Sequence, residues 1–342
     1  MEKYKIIKDL VGFNTIKDKE NKEIIEYIEK YLLGFGFKTE YKDKNLIMSY
    51  GKNPSVGFLG HTDTVEYIEG WKTDPFEVTA KEGKLYGLGV CDMKGGIAAI
   101  LDAISKVNLK ALKNGLKLFF TFDEEVGFGG IKNVVKLNVE SPEVMIFGEP
   151  TNNEVLVGSK GLLEYKVSFK GIKAHSSNPE KGKSANMKAI KFVAELDDFY
   201  NENIKGFENK NYEIPYTTMN VGLINGGSAV NSVSAKCDIA MDFRIAKKEH
   251  IYMLRNKVNM LAQKYDAKTE IVESIEPFIS ETELTDKIKT ANFMTEASFF
   301  NNKSRIILGT GPVTAHEVNE YITEESYEKL VGQYVEVIEK YG

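Results

Sequence analysis

Cysteine is scarce in this chain of 342 residues, which contains only Cys91 and Cys237. The two are far apart and match neither a disulfide framework nor a CxxC motif, so we expect a reducing compartment and a cytoplasmic protein. No apolar run approaches the ~20 residues of a membrane-spanning helix. Residues 1–5 lead directly into a helical pattern and carry no signal-peptide core. We therefore expect no membrane partner.

Neither sign of charge predominates, because 45 lysines and arginines face 50 aspartates and glutamates, for a net charge of −5. The two signs are interspersed, which argues against a nucleic-acid partner and leaves small-molecule chemistry open. Hydrophobic residues make up 42% of the chain and charged residues 28%, as in a globular protein. The length is sufficient for two domains.

Short apolar strands alternate with helical patterns in the first part of the chain. Val56, Phe58 and Leu59 form an apolar run without polar alternation, which is typical of a strand covered on both faces. Similar strands are predicted at 116–122 and 144–147, and helices at 97–107 and 131–137. This alternation predicts the α/β class, with a mainly parallel sheet between helices.

The pattern changes after Gly161, where alternate residues from Leu163 to Phe169 are apolar. The order strand, helix, two strands, helix, strand predicts a small α+β sandwich, whose edge strand could pair with a second copy. After Pro277 the first pattern returns, with helices predicted at 284–296 and 324–341 and a strand at 304–308. We therefore expect one domain of residues 1–162 and 276–342, and an inserted domain of residues 163–275.

Histidine is rare enough that each of the four can be weighed. His61 ends the buried strand that begins at Val56. His175 and His316 lie in loops after predicted strands, where binding groups concentrate. His250 lies at the polar start of a predicted helix, and we interpret it as a solvated surface residue without a functional role.

Acidic residues follow the same strands. Asp92, Glu124, Glu125 and Glu149 each come within a few residues of a predicted strand end, and we expect these ends to belong to one sheet. Carboxylates gathered in this way would repel one another and take up protons unless a cation lay among them. Two imidazoles and three carboxylates suit zinc or a neighbouring divalent metal. Asp63 could hold the other ring nitrogen of His61.

Each motif also has a plain structural interpretation when it is taken alone. Glu124 and Glu125 could be a solvated surface pair, Asp92 could cap a helix, and the segment at Glu149 could be a turn. Their joint position at the ends of apolar strands, where uncompensated charge is costly, favours a site for two metal ions.

Four segments in order resemble the metal motifs of the M20 metallopeptidase family: GHTDTV at 60–65, YGLGVCDMKGG at 86–96, DEE at 123–125 and GEPT at 148–151. The resemblance implies a catalytic, metal-binding first domain and a second domain that serves as a dimerisation and lid domain. It implies that Asp92 bridges two ions, Zn²⁺ or alternatively Co²⁺, and that the peptide after Asp92 is cis. The implied ligands are His61 and Glu149 for one ion, and Glu125 and His316 for the other.

The resemblance also implies catalytic roles. Glu124 would be the general base that takes a proton from a metal-bridged water, and Asp63 would orient His61. His175 would donate a hydrogen bond to the oxyanion in the partner subunit's site of a homodimer, although it could instead be a loop histidine bonded to Ser176 or Ser177. Asn231 and Arg244 would hold the substrate; Arg244 could instead form a structural ion pair.

Within the family, acetylornithine deacetylases have similar segments at 74–76, 83–89, 226–231 and 295–297. The loop before His316 departs from the family pattern, because Pro312 is followed by Val313 and the histidine comes early. We expect hydrolysis of the amide bond of an N-acyl amino acid, with N-acetylornithine as the first candidate. The alternatives are a desuccinylase, a carrier-protein-linked lysine or ornithine hydrolase, a dipeptidase, and a non-catalytic metal-stabilised binding module.

Overall fold

Two units make up the structure, a computed structural model that describes residues 3–17 and 19–342. The first two residues of the predicted helical start, Met1 and Glu2, lie outside the described residues, as does Asp18. The first unit comprises Met1–Val157, Ser280–Ile288 and Thr295–Gly342, and the second comprises Gly158–Ile279 and Lys289–Met294.

The helices and strands follow one another along the chain as α1 (Lys5–Gly12), α2 (Lys22–Leu33), β1 (Lys38–Lys42), β2 (Leu46–Tyr50), β3 (Pro54–His61), β4 (Thr79–Lys81), β5 (Lys84–Tyr86), α3 (Lys94–Lys106), β6 (Gly115–Thr121), α4 (Glu124–Gly127), α5 (Gly129–Lys136), β7 (Val144–Phe147), β8 (Gly158–Ser159), β9 (Gly161–Lys170), α6 (Ala185–Asn203), β10 (Thr218–Gly226), β11 (Lys236–Ile245), α7 (Lys248–Tyr265), β12 (Ala267–Ile275), β13 (Phe278–Ile279), β14 (Ser304–Ile307), β15 (Tyr321–Thr323) and α8 (Glu324–Tyr341). Within the described residues, none of these helices is both long and apolar enough to span a membrane.

The first unit is built on a six-stranded sheet in the order β1-β2-β6-β3-β7-β14. Strands β6, β3, β7 and β14 run parallel, while β2 and β1 continue the sheet antiparallel. Strand β3 is buried from Val56 to His61, as its unbroken apolar run predicts. Helix α3 packs against α1, α8 and β3. The predicted α/β class with a mainly parallel sheet is confirmed.

The second unit holds an antiparallel sheet in the order β10-β11-β9-β12, against which α6 and α7 pack. Alternate residues of β9 and β11 are buried, and these form the core together with the inner faces of the two helices. The apolar/polar alternation of these strands explains why one face is covered and the other is not. The predicted inserted α+β unit is confirmed.

The unit boundaries differ from those expected from sequence. The second unit begins at Gly158 rather than at residue 163, and it ends at Ile279 rather than at residue 275. The reason is a short antiparallel pairing of β8 with β13, which the sequence pattern does not predict. Residues Lys289–Met294 also join this unit, because Ala291 exchanges main-chain hydrogen bonds with Gly158 and Lys160, at 2.8 and 3.1 Å.

The helix predicted over residues 284–296 is wrong, since this stretch contains neither helix nor strand except for a 3-10 turn that starts at Glu296. Local side-chain bonds compete with the helix: Thr282 Oγ1 accepts from the main-chain N of Leu284, and Thr285 Oγ1 accepts from that of Lys287. The chain also changes unit twice within the stretch, after Ile288 and after Met294.

His250 is buried rather than solvated, so the surface interpretation is wrong. Its Nδ1 lies 2.7 Å from Thr217 Oγ1. Burial lowers the pKa of the imidazole, which keeps the ring neutral and able to share this hydrogen bond. We interpret His250 as a structural residue of the second unit.

Candidate metal centre

His61 is the last residue of β3 and its side chain is fully buried. Its Nδ1 lies 3.0 Å from the main-chain O of Asp63, and its Nε2 lies 3.0 Å from Asp92 Oδ1. The Asp63 carboxylate is farther from the ring, with Oδ1 at 3.5 Å from Nδ1. An Nδ1–H bond to the main-chain O would leave Nε2 available as a ligand atom, and this main-chain O is a nearer contact of the ring than the Asp63 carboxylate.

Asp92 lies in the turn between β5 and α3, and the peptide bond to Met93 is cis, as the family resemblance implies. Strand β5 belongs to a separate sheet, β15-β5-β4, so the expectation that all these strand ends share one sheet is wrong for Asp92. Asp92 still reaches the end of β3, because the start of α3 packs there; a Cβ on Gly60 would lie 2.8 Å from the Ile97 side chain.

The two oxygens of Asp92 face different histidines. Oδ1 faces His61, and Oδ2 lies 3.5 Å from Nε2 of His316. Because one carboxylate can bind two ions through its two oxygens, this arrangement is suited to a bridging ligand.

Glu124 and Glu125 are the first two residues of the short helix α4, not the last residues of a strand. Asp123 adopts a left-handed conformation, with φ of 56°, which turns the chain from β6 into this helix. Glu125 Oε1 lies 3.2 Å from His316 Nε2, and the main-chain N of Glu125 donates to Asp63 Oδ2 at 3.1 Å. The turn therefore brings Glu125 to both Asp63 and His316.

Glu149 follows β7 after one residue and is buried, whereas the side chain of His316 is 54% exposed. The loops that carry these two residues are joined by hydrogen bonds. Asn153 donates its main-chain N–H to Gly309 O at 2.9 Å, and Gly309 donates to Thr151 Oγ1 at 3.1 Å. These bonds fix the position of Glu149 relative to the loop before His316.

These side chains form two groups that share Asp92. In one group, ligand atoms of His61, Asp92 and Glu149 all lie within 4.8 Å of one another, and in the other the same holds for Asp92, Glu125 and His316. His61, Glu124 and Glu125 form a third group, whose ligand atoms also lie within 4.8 Å of one another. The five predicted ligands are therefore brought together, and the donor set of imidazole and carboxylate fits two divalent ions.

The electrostatics of the site fit a cation as well. Burial raises the pKa of Glu149 well above its usual value, and the charges of Asp92 and Glu124 raise it further. Burial likewise raises the pKa of Glu124, with His61 opposing and Glu125 adding to the effect. Without positive charge between them, these carboxyl groups stay together only by holding protons.

The two histidines take up positive charge in response. Burial would lower the pKa of His61, but hydrogen bonds to Asp63 and Asp92 outweigh it, and the pKa lies well above its usual value. Hydrogen bonds to Asp92 and Glu125 raise the pKa of His316 to about 10. Bound metal would displace protons from the site, since metal ligands must be deprotonated.

Sequence reasoning missed three charged residues that lie buried near the ligands. Burial raises the pKa of Glu296 to about 8 and that of Glu320 to about 7, and it lowers the pKa of Lys94 to about 7. Glu296 lies in the 295–297 segment, which the family resemblance singles out. The sequence pattern does not indicate that Glu320 or Lys94 is buried. Glu320 lies in a polar stretch, and Lys94 is the first residue of a helix.

The predicted substrate and oxyanion residues belong to the second unit. His175 is exposed, and its Nδ1 accepts from the main-chain N of Ser177 at 3.2 Å and lies 2.8 Å from Ser177 Oγ. Asn231 is also exposed. It lies next to His175, because its main-chain O accepts from the main-chain N of Ser176 at 3.0 Å. Arg244 pairs with Asp242, with Nε 3.0 Å from Oδ1. The alternative contacts expected for His175 and Arg244 are thus both present.

Comparisons with known proteins agree with these motifs. A model of peptidase family M20/M25/M40 matches residues 57–340. Acetylornithine deacetylase from Pasteurella multocida is 32% identical over 352 residues, which cover 93% of this chain and 92% of the relative.

Solved structures of the same family share the fold. An M20 family metallo-carboxypeptidase from Sulfolobus solfataricus matches with a TM-score of 0.81 at 16% identity, over 97% of each chain. A dinuclear metal binding peptidase of the M20 family from Bacillus subtilis matches with a TM-score of 0.70 at 12% identity, over 98% of this chain and 97% of the other. With the family model matching most of its length, the chain belongs to peptidase family M20/M25/M40 and is a metallo-hydrolase of that family.

Proposed function

We propose that this chain hydrolyses the amide bond of an N-acyl amino acid, with N-acetylornithine as its first substrate, and so serves arginine biosynthesis. The observation that carries the proposal is the pair of ligand groups joined by Asp92, with Glu124 as an additional acid that lies close to His61 and Glu125 and belongs to neither of the two. A binding module has no need of such an additional acid. The deacetylase from Pasteurella multocida, 32% identical over nearly the whole chain, supports the choice of substrate.

Two divalent ions, with Zn²⁺ as the expected metal and Co²⁺ as the alternative, would be held by the two groups. His61, Asp92 and Glu149 would bind one, and Asp92, Glu125 and His316 the other. The ions would lower the pKa of the attacking water, polarise the amide carbonyl and favour the ionised form of neighbouring carboxylates.

Glu124 would move the proton. One of its carboxylate oxygens lies within 4.8 Å of a ring nitrogen of His61 and of a carboxylate oxygen of Glu125. It would therefore lie beside a water held between the two ions. Its carboxylate would take a proton from the attacking water and then return it to the departing amine. The main-chain O of Asp63 would hold the His61 ring, so that Nε2 keeps pointing at Asp92.

The second unit would supply the remaining contacts. Ser177 donates to Nδ1 of His175, which leaves Nε2–H of a neutral ring free to donate to an oxyanion in the partner subunit's site of a homodimer. Asn231 would donate to the substrate, and Arg244 would bind its carboxylate once it exchanges Asp242 for that group.

A substrate screen tests the proposal. Purified protein, supplied separately with Zn²⁺ or Co²⁺, is assayed on N-acetylornithine, N-succinyl-diaminopimelate and simple dipeptides, and we expect N-acetylornithine to give the highest kcat/KM. Preference for the succinyl compound or a dipeptide would keep the chemistry and change the substrate. If the protein binds metal but hydrolyses none of these substrates, the result would favour a non-catalytic metal-stabilised binding module.

The matched control is Glu124→Gln, which is nearly isosteric but cannot accept the proton. It should bind both ions as the wild type does and lose about 10²–10⁴-fold in kcat. Near-normal turnover by this variant would contradict the role of Glu124, whichever substrate is preferred.

A further inference from the structure

Glu320 has a buried carboxylate that, among the described residues, accepts hydrogen bonds from main-chain groups alone. It is 1% exposed. Its Oε2 accepts from Gly89 N at 2.9 Å, and its Oε1 accepts from Cys91 N at 2.7 Å and from Asp92 N at 3.1 Å. One side chain therefore satisfies three amides of the turn that ends in Asp92.

That turn has little support of its own. Between the end of β5 at Tyr86 and the start of α3 at Lys94 there is neither helix nor strand. Buried amide groups in such a segment need partners from elsewhere, or their burial is costly. Glu320 supplies partners for four of them, since its main-chain O also accepts from Gly87 N at 3.2 Å.

Glu320 is itself firmly placed. It comes directly before β15, where Tyr321 is paired with Tyr86 of β5. The side chain of Thr314 bonds both the N and the O of Tyr321, at 3.0 and 2.6 Å. The segment that contains His316 is thus closed at its two ends by the bonds between Thr314 and Tyr321, and Tyr321 pairs with the strand that leads to Asp92.

We propose that Glu320 is a positioning residue for the metal centre: by holding the amides of Gly89, Cys91 and Asp92, it fixes the shared ligand Asp92 for both ions at once. The inference rests on the proposed metal-binding function. A carboxylate suits this task because both its oxygens can accept, and in the ionised form its hydrogen bonds are stronger than those of a neutral group. A glutamine of the same shape would turn an NH₂ group toward at least one of the amides.

Stepwise Zn²⁺ affinity tests the inference, measured by competition with a chromophoric chelator. In Glu320→Gln both binding steps should weaken by about 10–100-fold, the usual effect of removing a group that orients a ligand. His316→Ala is the contrasting variant, because it removes a ligand from one group and should weaken one step far more than the other. Affinity within twofold of wild type in both steps of Glu320→Gln would overturn the proposal.

Asp102→Asn is the control for a general loss of a polar contact in the same unit. Asp102 lies on α3 and accepts from the Tyr327 hydroxyl, but it belongs to neither ligand group. This variant should keep wild-type affinity. An equal loss of affinity in Asp102→Asn and Glu320→Gln would show a merely structural effect and would overturn the proposal.

A metal-free readout completes the test. Hydrogen exchange of the amides of Gly89, Cys91 and Asp92 in metal-stripped protein should be faster in Glu320→Gln, while the amides of β3 keep their protection. Unchanged exchange at these three positions would overturn the proposal.

If Glu320→Gln does not fold, Glu320→Asp takes its place. This variant keeps the carboxylate but moves it away from the amides, and its Zn²⁺ affinity should fall in both steps. None of these measurements uses a substrate, so failure of the proposed hydrolysis would be seen separately in the screen.

Discussion

At the scale of single residues, Glu296 is a buried carboxyl group near the predicted ligands. Its Oε2 accepts from Thr121 Oγ1 at 2.9 Å, and the hydrogen bonds of the described residues leave its Oε1 without a partner. The residue is 1% exposed, and burial raises its pKa to about 8. The carboxyl group is therefore protonated near neutral pH in the metal-free protein.

The raised pKa predicts a pH dependence of stability. A carboxyl whose pKa is higher in the folded than in the unfolded state stabilises the fold below the unfolded value, and this contribution is lost as the pH rises to about 8. Glu296→Gln cannot ionise, so its melting temperature relative to wild type should rise between pH 5 and pH 8. Thermal melts of both proteins in a chelator measure this; an equal difference at the two pH values would contradict it.

The residues that sequence reasoning identified and missed differ in a physical way. His61, Glu125 and Glu149 stand out because they interrupt or follow apolar strands, where a polar side chain is costly. Glu320 cannot be recognised in this way, because it lies among polar residues and its burial depends on a turn distant in sequence. His250 was misjudged for the same reason, since its partner Thr217 lies on another segment.

At the scale of elements, strands were easier to predict than the connections between them. The apolar run of β7 was predicted with its observed bounds, Val144–Phe147, because burial on both faces leaves a signal in the sequence itself. The pairing of β8 with β13 involves two residues on each side, too few to show any periodicity. The false helix over residues 284–296 arose because periodicity alone cannot show that the chain passes to another unit.

The close approach of helix α3 to the loop of Glu149 gives a prediction at this scale. A Cβ on Gly96 would lie 2.5 Å from the main-chain O of Gly148. Gly96→Ala should force this loop to move, destabilise the metal-free protein by about 1–3 kcal/mol and weaken Zn²⁺ binding through Glu149. Urea unfolding and chelator competition measure the two effects.

Gly332→Ala is the control for that substitution. Gly332 lies in helix α8, and a Cβ there would meet no atom within 4 Å. Alanine at this exposed helical position should be neutral or stabilise the protein by up to about 1 kcal/mol. A Gly96→Ala protein as stable as Gly332→Ala would contradict the tight packing of α3.

At the scale of the whole molecule, we expect a homodimer that pairs through the second unit. Strand β10 is an edge of its sheet, and it leaves Leu223 and Ile224 60% and 62% exposed. An apolar, exposed edge is a template for pairing with another chain. A twofold dimer would bury the same surface of each copy.

Mixing two inactive variants tests whether His175 serves the partner subunit. His175→Ala and Glu124→Gln should each lack activity, whereas mixed dimers restore one complete site. Random pairing of equal amounts should give about a quarter of wild-type activity, measured after joint refolding and isolation of dimers by gel filtration. No recovery from mixed dimers would place His175 in its own subunit's site or outside any site.

The divided sequence of the second unit bears on how the protein could be shortened. Excising residues 158–279 and rejoining Val157 to Ser280 would leave Lys289–Met294 behind, a remnant of six residues. Ala291 would then have lost Gly158 and Lys160, the partners of its amide and carbonyl. A minimal version of the first unit accordingly needs two cuts and two new joints, the second linking Ile288 to Thr295.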